Sequence, residues 1–384
     1  MPFQMTRRRA ALAVALGCTF HGTGHAATDL VFGQVASSTN PASAANAKGL
    51  TTGIQTYFNR VNAAGGIAGN KLKLVTLDDG LQAPKMLELT QQLMADKSVL
   101  GLLGFLNTAG LAEIAKQNLP AQNGIALIAP LQGDKHVVGA DNVFPLRSGY
   151  TDEVHALLKE ASVWGKDTLA IVNMNTAFGP KLAEVAQELS PGHAVKVVGQ
   201  QVIDAAPDKL AHSVKEAVSA VSALKPKGIL VLAAGKPAYE FIKAMRNAPG
   251  GQVQIYGVSV LLHDSLVEAV GIQKARGIVV SQAVPYPFVP HKPVITEFQA
   301  DMKKYAPNEP VSFSSLEGYL GAKIAAEAVR KVGGNPTRAS ILAALNNLGD
   351  HDLGGVHIRY SPGLRRGWGG VDLSIINSAG QLSR

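Results

Sequence analysis

The order of patterns between residues 50 and 80 constrains the fold more than any other stretch of the chain. Apolar residues recur at helical spacing from Leu50 to Val61, and a glycine pair at 65–66 then favours a left-handed turn that ends the helix. A strand is predicted at 72–77, and it ends in an Asp-Asp-Gly loop. Because ligands of open α/β sheets bind at the carboxyl ends of strands, this loop marks one edge of an expected site.

The rest of the chain alternates predicted strands with predicted helices, which indicates βαβ units and parallel sheets. Up to Arg147 the predicted strands are 31–35, 72–77, 99–103 and 125–128. A second series has predicted strands at 168–172, 194–198, 228–232 and 253–256, separated by helices at 153–163, 181–189, 209–224 and 238–247. A tail adds helices at 294–305, 314–332 and 338–345 and strands at 356–360 and 371–377. Patterns alone therefore predict two consecutive α/β domains followed by an ambiguous tail.

Length and composition fit this prediction. The chain has 384 residues, enough for two domains of ordinary size, and its 46% hydrophobic and 17% charged residues are typical of globular proteins. No basic block of five or more residues occurs, so nucleic acid is not predicted as a partner. After the N-terminus no apolar run reaches the length of about 18 residues that a membrane-spanning helix needs.

The motifs that mark enzymes, cofactor sites or metal sites are absent, incomplete or weak in this sequence. The chain has no P-loop and no Gly-x-Gly-x-x-Gly after a strand, and Gly-x-Ser-x-Gly fails at 257–261. His351, Asp352 and His357 could suggest a metal site, but a solvated loop is the favoured interpretation. The neighbouring carboxylates Asp78 and Asp79 are interpreted as structural. The sequence therefore predicts neither catalysis nor a cofactor nor a metal.

The first 26 residues have the pattern of an export signal. A basic region at 7–9 precedes an apolar region at 10–17, and small residues at 24 and 26 suit a signal peptidase. Cleavage is predicted after Ala26, so residues 1–26 form the signal peptide, and the net charge falls from +8 to +5. Two alternatives stay open: residues 6–8 loosely match a twin-arginine signal, and residues 15–18 loosely match a lipobox that would place a lipid anchor on Cys18.

The motif Asn-x-x-Gly-Gly-Ile-x-Gly at 62–69, followed by a short strand and Asp78-Asp79, resembles the leucine/isoleucine/valine-binding family of periplasmic substrate-binding proteins. The resemblance runs from about Asp29 to the C-terminal end. It implies the type I periplasmic binding protein fold: two doubly wound, Rossmann-like α/β lobes joined by three hinge crossings. The implied partners are a small-molecule ligand and an ABC permease in the inner membrane, and the implied location is the periplasm.

Matching the chain to the family places the hinge crossings near 147–148, 277–281 and 361–367. The N-terminal lobe is then predicted at 28–147 plus 279–361. The C-terminal lobe is predicted at 148–278 plus 362–384.

Asn107 and Thr108 follow the strand at 99–103 and open a helix, whose free N–H groups and dipole suit an anion. A plain helix cap is the alternative, since Asn and Thr are preferred caps. In the family this turn binds the ligand's carboxylate through a Ser or Thr, and Thr108 holds that position. The family also uses the backbone of the loop at Leu131, Gln132 and Gly133, where Gly133 replaces a frequent Thr.

Tyr150 and Asp152 lie at the first predicted crossing. An aromatic ring there would cover an apolar ligand and Asp152 would accept a hydrogen bond, although a helix start capped by Asp152 explains the residues equally well.

The resemblance places five further residues at family contact positions: Asn46, Phe178, Gly235, Lys236 and Ser259. Asn46 replaces a frequent aromatic residue, and Phe178 stands where Tyr is common. Ser259 stands where amino-acid binders place a Glu for the ammonium group of the ligand.

These substitutions predict the kind of ligand. A buried ammonium without a carboxylate partner costs several kcal/mol, so Ser259, with Lys236 nearby, predicts a small carboxylate or amide rather than a zwitterionic branched amino acid. Asp152 is an alternative source of the missing charge. The predicted role is capture of a small carboxylate, amide or amino acid in an interlobe cleft and delivery to an ABC importer. The alternative is a periplasmic ligand sensor that feeds a membrane receptor.

The export prediction is tested by the mass of the mature protein isolated from the periplasm. We expect an N-terminus at Ala27, because the small residues at 24 and 26 define the cleavage site. An intact N-terminus would contradict cleavage, and a diacylglyceryl group on Cys18 would establish the lipobox alternative.

Overall fold

The computed structural model describes Met1, residues 29–176 and residues 178–383. The predicted signal peptide, including Cys18, lies outside the described residues. In the described ranges, none of the helices combines the length and apolarity needed to cross a membrane.

A parallel five-stranded sheet forms the centre of the N-terminal lobe. Its strands are β1 (Asp29–Ala36), β2 (Lys71–Asp78), β3 (Val99–Leu103), β4 (Leu127–Ile128) and β5 (Val143–Phe144). The helices between them are α1 (Ala44–Ala63), α2 (Ala83–Ala95), α3 (Thr108–Lys116), α4 (Leu119–Gln122) and α5 (Lys135–Val138). The strand order is β2-β1-β3-β4-β5. All five residues of β3 are buried, as expected for a strand covered on both faces.

The C-terminal lobe repeats this architecture with a second set of parallel strands. They are β6 (Thr168–Met174), β7 (Lys196–Ile203), β8 (Gly228–Leu232), β9 (Gln254–Gly257) and β10 (Val279–Gln282). The helices are α6 (Tyr150–Val163), α7 (Phe178–Leu189), α8 (Leu210–Leu224), α9 (Gly235–Asn247), α10 (His263–Val270) and α11 (Ile272–Ala275), with a 3-10 turn at Ser190–His193.

The tail of the chain is shared between the lobes. It contains α12 (Pro293–Tyr305), α13 (Phe313–Val332), α14 (Arg338–Asn346), β11 (Gly349–Asp352), β12 (His357–Ser361), β13 (Leu364–Arg366), β14 (Asp372–Ile376) and β15 (Leu382–Ser383). The helix α13 packs along α1 of the N-terminal lobe. The strands β11, β12 and β13 form a small antiparallel sheet. The strands β14 and β15 extend the sheet of the C-terminal lobe, whose order is β15-β14-β10-β9-β8-β6-β7. The predicted fold, two doubly wound lobes joined by three crossings, is confirmed.

Two predicted lobe boundaries are too early. The boundary at 279 is wrong because β10 pairs with β9 and β14 inside the second sheet, so the chain leaves that lobe only after Gln282. The boundary at 362 is wrong because a turn with a positive φ at Gly363 folds β13 back onto β12, which delays the last crossing past Arg366.

The interpretation of His351 and Asp352 as a loop is also wrong, since both lie in β11 and pair with β12. The ring of His357 lies 3.5 Å from Asp350 and 4.0 Å from Asp352. In the described ranges, no group of three or more His, Cys, Asp or Glu side chains is arranged to hold a metal ion.

Glycines set the distance between α1 and α13. A β-carbon on Gly53 would lie 1.9 Å from the carbonyl oxygen of Ser315, and one on Gly318 would lie 2.0 Å from that of Leu50. Both positions therefore bring one helix backbone directly against the other, and no side chain fits between them.

We expect Gly53→Ala to destabilise the protein by about 3 kcal/mol, because the added methyl must push two helix backbones apart. Gly192→Ala is the matched control, since a β-carbon there meets nothing within 4 Å. Urea denaturation of the two variants measures the difference, and equal midpoints would contradict the proposed backbone contact.

Candidate ligand-binding cleft

A cavity of about 210 Å³ lies between the two lobes. From the N-terminal lobe it is lined by Ala42, Ser43, Asn46, Leu81, Leu106, Asn107, Thr108, Ala109 and Leu131. From the C-terminal lobe it is lined by Tyr150, Met174, Thr176, Phe178, Ala234 and Val260. Most of these side chains are apolar, and the polar ones cluster where strands end and helices begin. The arrangement suits a small molecule with an apolar body and a few polar groups.

One end of the cavity is the N-terminus of α3. Asn107 caps this helix, because its side-chain oxygen accepts a hydrogen bond from Gly110 N at 3.1 Å. The N–H groups of Thr108 and Ala109, at the first two helical positions, have no acceptor within the helix, and both residues line the cavity. These groups, the Thr108 hydroxyl and the helix dipole make this end suitable for a carboxylate.

Asp79 holds this turn in place. Its carboxylate is fully buried and accepts hydrogen bonds from Asn107 Nδ2 at 2.7 Å, Ser37 Oγ at 2.6 Å and Leu81 N at 2.9 Å. The acid is therefore saturated by protein groups, which gives it a structural task at the carboxyl end of β2. Asn107 has a φ of 148°, a conformation that this network holds.

Two aromatic rings cover the cavity from the C-terminal lobe. Tyr150 and Phe178 meet edge to face, with ring centroids 5.5 Å apart. Burial raises the pKa of the Tyr150 phenol, which stays neutral and hydrogen-bonds the Thr108 side chain of the other lobe. Gly133 makes room for this ring, because a β-carbon on it would lie 2.5 Å from Tyr150 Cδ1.

Contacts to backbone carbonyls also join the lobes around the cavity. Asn46 Nδ2 donates to the carbonyl of Val260 at 3.1 Å and holds the two walls together. At the start of α9, Gly235 has a positive φ of 57°, and a β-carbon there would lie 2.6 Å from the carbonyl of Pro41. The backbone N of Lys236 donates to the same carbonyl at 3.4 Å, while the Lys236 side chain is exposed.

A buried group of charges lies behind the cavity, on its hinge side. The Arg147 guanidinium is 3.4 Å from a Glu153 oxygen and 3.6 Å from a Glu317 oxygen, and it also donates to the hydroxyl of Ser259. The other Glu153 oxygen accepts from Ser259 N at 2.8 Å and Ser281 Oγ at 2.7 Å.

Glu317 is the weakly paired member of this group. It is 3% exposed, and its Oε1 has no hydrogen-bond partner among the described residues. Burial raises its pKa to about 7; Arg147 opposes this rise and Glu153 adds to it. Two buried carboxylates thus share one guanidinium.

Six of the twelve predicted site residues line the cavity: Asn46, Asn107, Thr108, Leu131, Tyr150 and Phe178. The other six lie outside this lining, and each makes a contact within the protein; their contact with a ligand stays a prediction. The oxygen of Gln132 accepts from Gly133 N at 2.8 Å, so this loop satisfies its own backbone donor. Asp152 accepts from Gly149 N at 3.1 Å and caps α6. Ser259, Gly235 and Lys236 make the contacts described above.

Sequence reasoning missed the charged group and part of the apolar wall. Glu317 carries a recognisable signal, because it is the one charged residue among the first ten residues of α13. Leu106 and Thr176 follow the carboxyl ends of β3 and β6, which is the edge where ligands bind. Met174 and Val260 carry no such signal, since their position depends on how the two lobes meet.

A two-lobed α/β protein with a largely apolar cavity between the lobes has the architecture of the solute-binding proteins. Residues 30–368 match the model of the periplasmic binding protein family, and the chain is a member of that family. Its members are periplasmic binding proteins, which confirms the prediction that the protein is not an enzyme and implies a periplasmic location.

Comparison with individual proteins agrees with this assignment to the family. An extracellular ligand-binding receptor from Verminephrobacter eiseniae is 28% identical with a TM-score of 0.83, covering 93% of this chain and 100% of that chain. A substrate-binding periplasmic protein from Ralstonia solanacearum, 24% identical with a TM-score of 0.85, has the same fold over 92% of this chain and 99% of its own. The Leu/Ile/Val-binding protein homolog 3 of Brucella melitensis is 28% identical over 178 residues, which is 45% of this chain and 46% of that protein.

The raised pKa of Glu317 predicts a pH-dependent effect of Glu317→Gln. A carboxyl whose pKa is raised from 4.5 to about 7 on folding stabilises the protein most below pH 4.5, and that contribution is lost as the pH rises through 7. The glutamine variant lacks this loss. We therefore expect the free energy of unfolding of the variant, relative to that of the wild type, to rise by up to about 3 kcal/mol between pH 5 and pH 8.

Urea denaturation at several pH values measures this gain. Glu327→Gln on the same helix is the control, because Glu327 is a surface partner of Arg330. If the free energies of unfolding of the wild type and the variant differ by the same amount at every pH, the pKa of Glu317 is not raised by folding.

Proposed function

We propose that the protein is an extracytoplasmic solute-binding protein that captures a small carboxylate, amide or amino acid and delivers it to an ABC permease in the inner membrane. The observation that supports this most is the interlobe cavity, which combines the N-terminus of α3 with apolar walls. The name of the Brucella relative, a Leu/Ile/Val-binding protein homolog, points to the same class of ligand. Export by the N-terminal signal is part of the proposal.

The cleft divides the work of recognition between the lobes. Thr108 and the α3 terminus from the N-terminal lobe would bind the carboxylate, while Tyr150, Met174 and Phe178 from the C-terminal lobe would enclose the apolar body. Because neither lobe encloses the ligand alone, binding favours the conformation in which both lobes contact it. That conformation is then available for recognition by the permease.

A thermal-shift screen of amino acids, small carboxylic acids, aromatic acids and amides tests the proposed ligand class. A ligand that binds only the folded protein raises the melting temperature in proportion to its affinity and concentration. We expect hits confined to molecules with a carboxylate or amide and an apolar body small enough for the cavity. A screen with hits only among sugars or polyamines would contradict the proposal.

Thr108→Ala tests the anion-binding end on any hit of the screen. Removing a hydroxyl that hydrogen-bonds a charged group should weaken binding by about 1–3 kcal/mol in isothermal titration calorimetry. Thr296→Ala, on the exposed face of α12, is the matched control and should bind as the wild type does. If Thr108→Ala binds equally tightly, the carboxylate is bound elsewhere.

A further inference from the structure

A second, smaller chamber of about 10 Å³ adjoins the main cavity on its hinge side. The two spaces share Asn46, Leu131 and Val260 in their walls, so the chamber lies directly next to the cavity. Its own walls add the polar residues Arg147, Ser259, Ser314 and Glu317 and the apolar residues Ala283, Val284 and Phe313. A chamber of this size holds one water-sized group, such as the nitrogen at the end of a ligand.

The charges around the chamber do not balance. Glu153 is fully occupied, with one oxygen near Arg147 and the other bound by Ser259 N and Ser281 Oγ. Arg147 directs its two terminal nitrogens at Glu153, Ser259 and Glu317 and reaches Glu317 only at 3.6 Å, while its Nε has no partner among the described residues. With both acids ionised the group carries one excess negative charge, and that charge resides on Glu317.

Such an arrangement is unfavourable unless something completes it. A buried charge without full pairing costs several kcal/mol, and a buried acceptor without a donor adds its own penalty. A proton on Glu317 removes the excess charge but leaves an O–H group that needs an acceptor, whereas a donor group that enters the chamber pairs with Oε1 directly. A cationic nitrogen suits the excess charge best, because it supplies the charge and the hydrogen bond together.

We propose that Glu317 is a specificity-determining residue, whose free Oε1 accepts a hydrogen bond from an amino group of the ligand at the hinge end of the cleft. This inference rests on the proposed function and narrows it to ligands that carry both a carboxylate and an amino group. It reverses the expectation drawn from Ser259. The acid missing at that position is supplied by α13, and the backbone N–H and hydroxyl of Ser259 hold Glu153 and Arg147 in place.

Matched pairs of ligands test the proposal by calorimetry at pH 7.5. Each pair differs only in the amino group: L-leucine against 4-methylpentanoate, and L-phenylalanine against 3-phenylpropanoate. We expect the amino acid of a pair to bind about 10- to 100-fold more tightly than its des-amino partner, as for a hydrogen bond to a charged group. Equal or tighter binding of the des-amino acids would overturn the proposal.

Glu317→Gln assigns the discrimination to one residue. The variant should lose most of the preference for the amino acid and leave the affinity for the des-amino acid within about twofold. Glu327→Gln is the matched control, since it removes an acid from the same helix where the side chain pairs with Arg330 at the surface. A preference that survives in Glu317→Gln would place the ammonium partner elsewhere and overturn the proposal.

Proton release separates recognition by Glu317 from a purely structural role. An ammonium group next to Glu317 favours its ionised form, so amino-acid binding near neutral pH should release protons, and des-amino binding should not. Calorimetry in two buffers of different ionisation enthalpy measures the number released. The other ionisable groups that face Glu317 are Arg147 and Glu153, with Tyr150 beyond Arg147, so Glu317→Gln should abolish the release.

The results also distinguish this inference from the proposed function. Binding of the des-amino acids that is weakened by Thr108→Ala but indifferent to Glu317→Gln supports the solute-binding role and overturns the role of Glu317. Absence of binding by all four acids, in a folded protein with a normal melting transition, counts against both.

Discussion

The Arg147 guanidinium is the interaction on which the arrangement of the two lobes depends. Arg147 lies at the first crossing between the lobes, and it reaches Glu153 on α6 of one lobe and Glu317 on α13 of the other. Burial alone would lower its pKa, but the two carboxylates raise it, so the residue stays charged in the interior. A single cation therefore fixes the hinge side of the cleft, where the Ser148 backbone N–H also binds the carbonyl of Ala283.

From this fixed side the cleft becomes steadily less polar. Next to the charges lie Asn46 and Ser259, whose hydrogen bonds tie the walls together, and beyond them lie the apolar side chains of the main cavity. The N-terminus of α3 brings polar groups back into the cavity, beside the side chains of Ser43 and Thr176. The cleft thus presents polar groups on its hinge side and at the α3 terminus, with apolar walls elsewhere.

The fold could be predicted from sequence because its signals are local. Apolar periodicity, the glycine pair at 65–66 and the buried run of β3 each specify an element without knowledge of the rest. The predicted lobe boundaries near β10 and β13 were wrong because they depend on the sheet in which each strand pairs. That pairing is set by strands that are distant in sequence or belong to another hairpin. In the site, Thr108 and Tyr150 could be found at element starts, whereas the grouping of Glu153 with Glu317 arises only when two lobes meet.

The contact between α1 and α13 also has a consequence for the order in which the molecule forms. The helix α1 begins at Ala44, but its partner α13 begins only at Phe313, after the main strands of the other lobe. The lobe that starts first therefore cannot complete its interior until most of the chain is available, while β6 to β10 form a continuous segment that assembles from near neighbours. Long-range pairings of this kind slow folding. During that interval the apolar face of α1 is uncovered, and the nascent N-terminal lobe is the part of the molecule most exposed to aggregation.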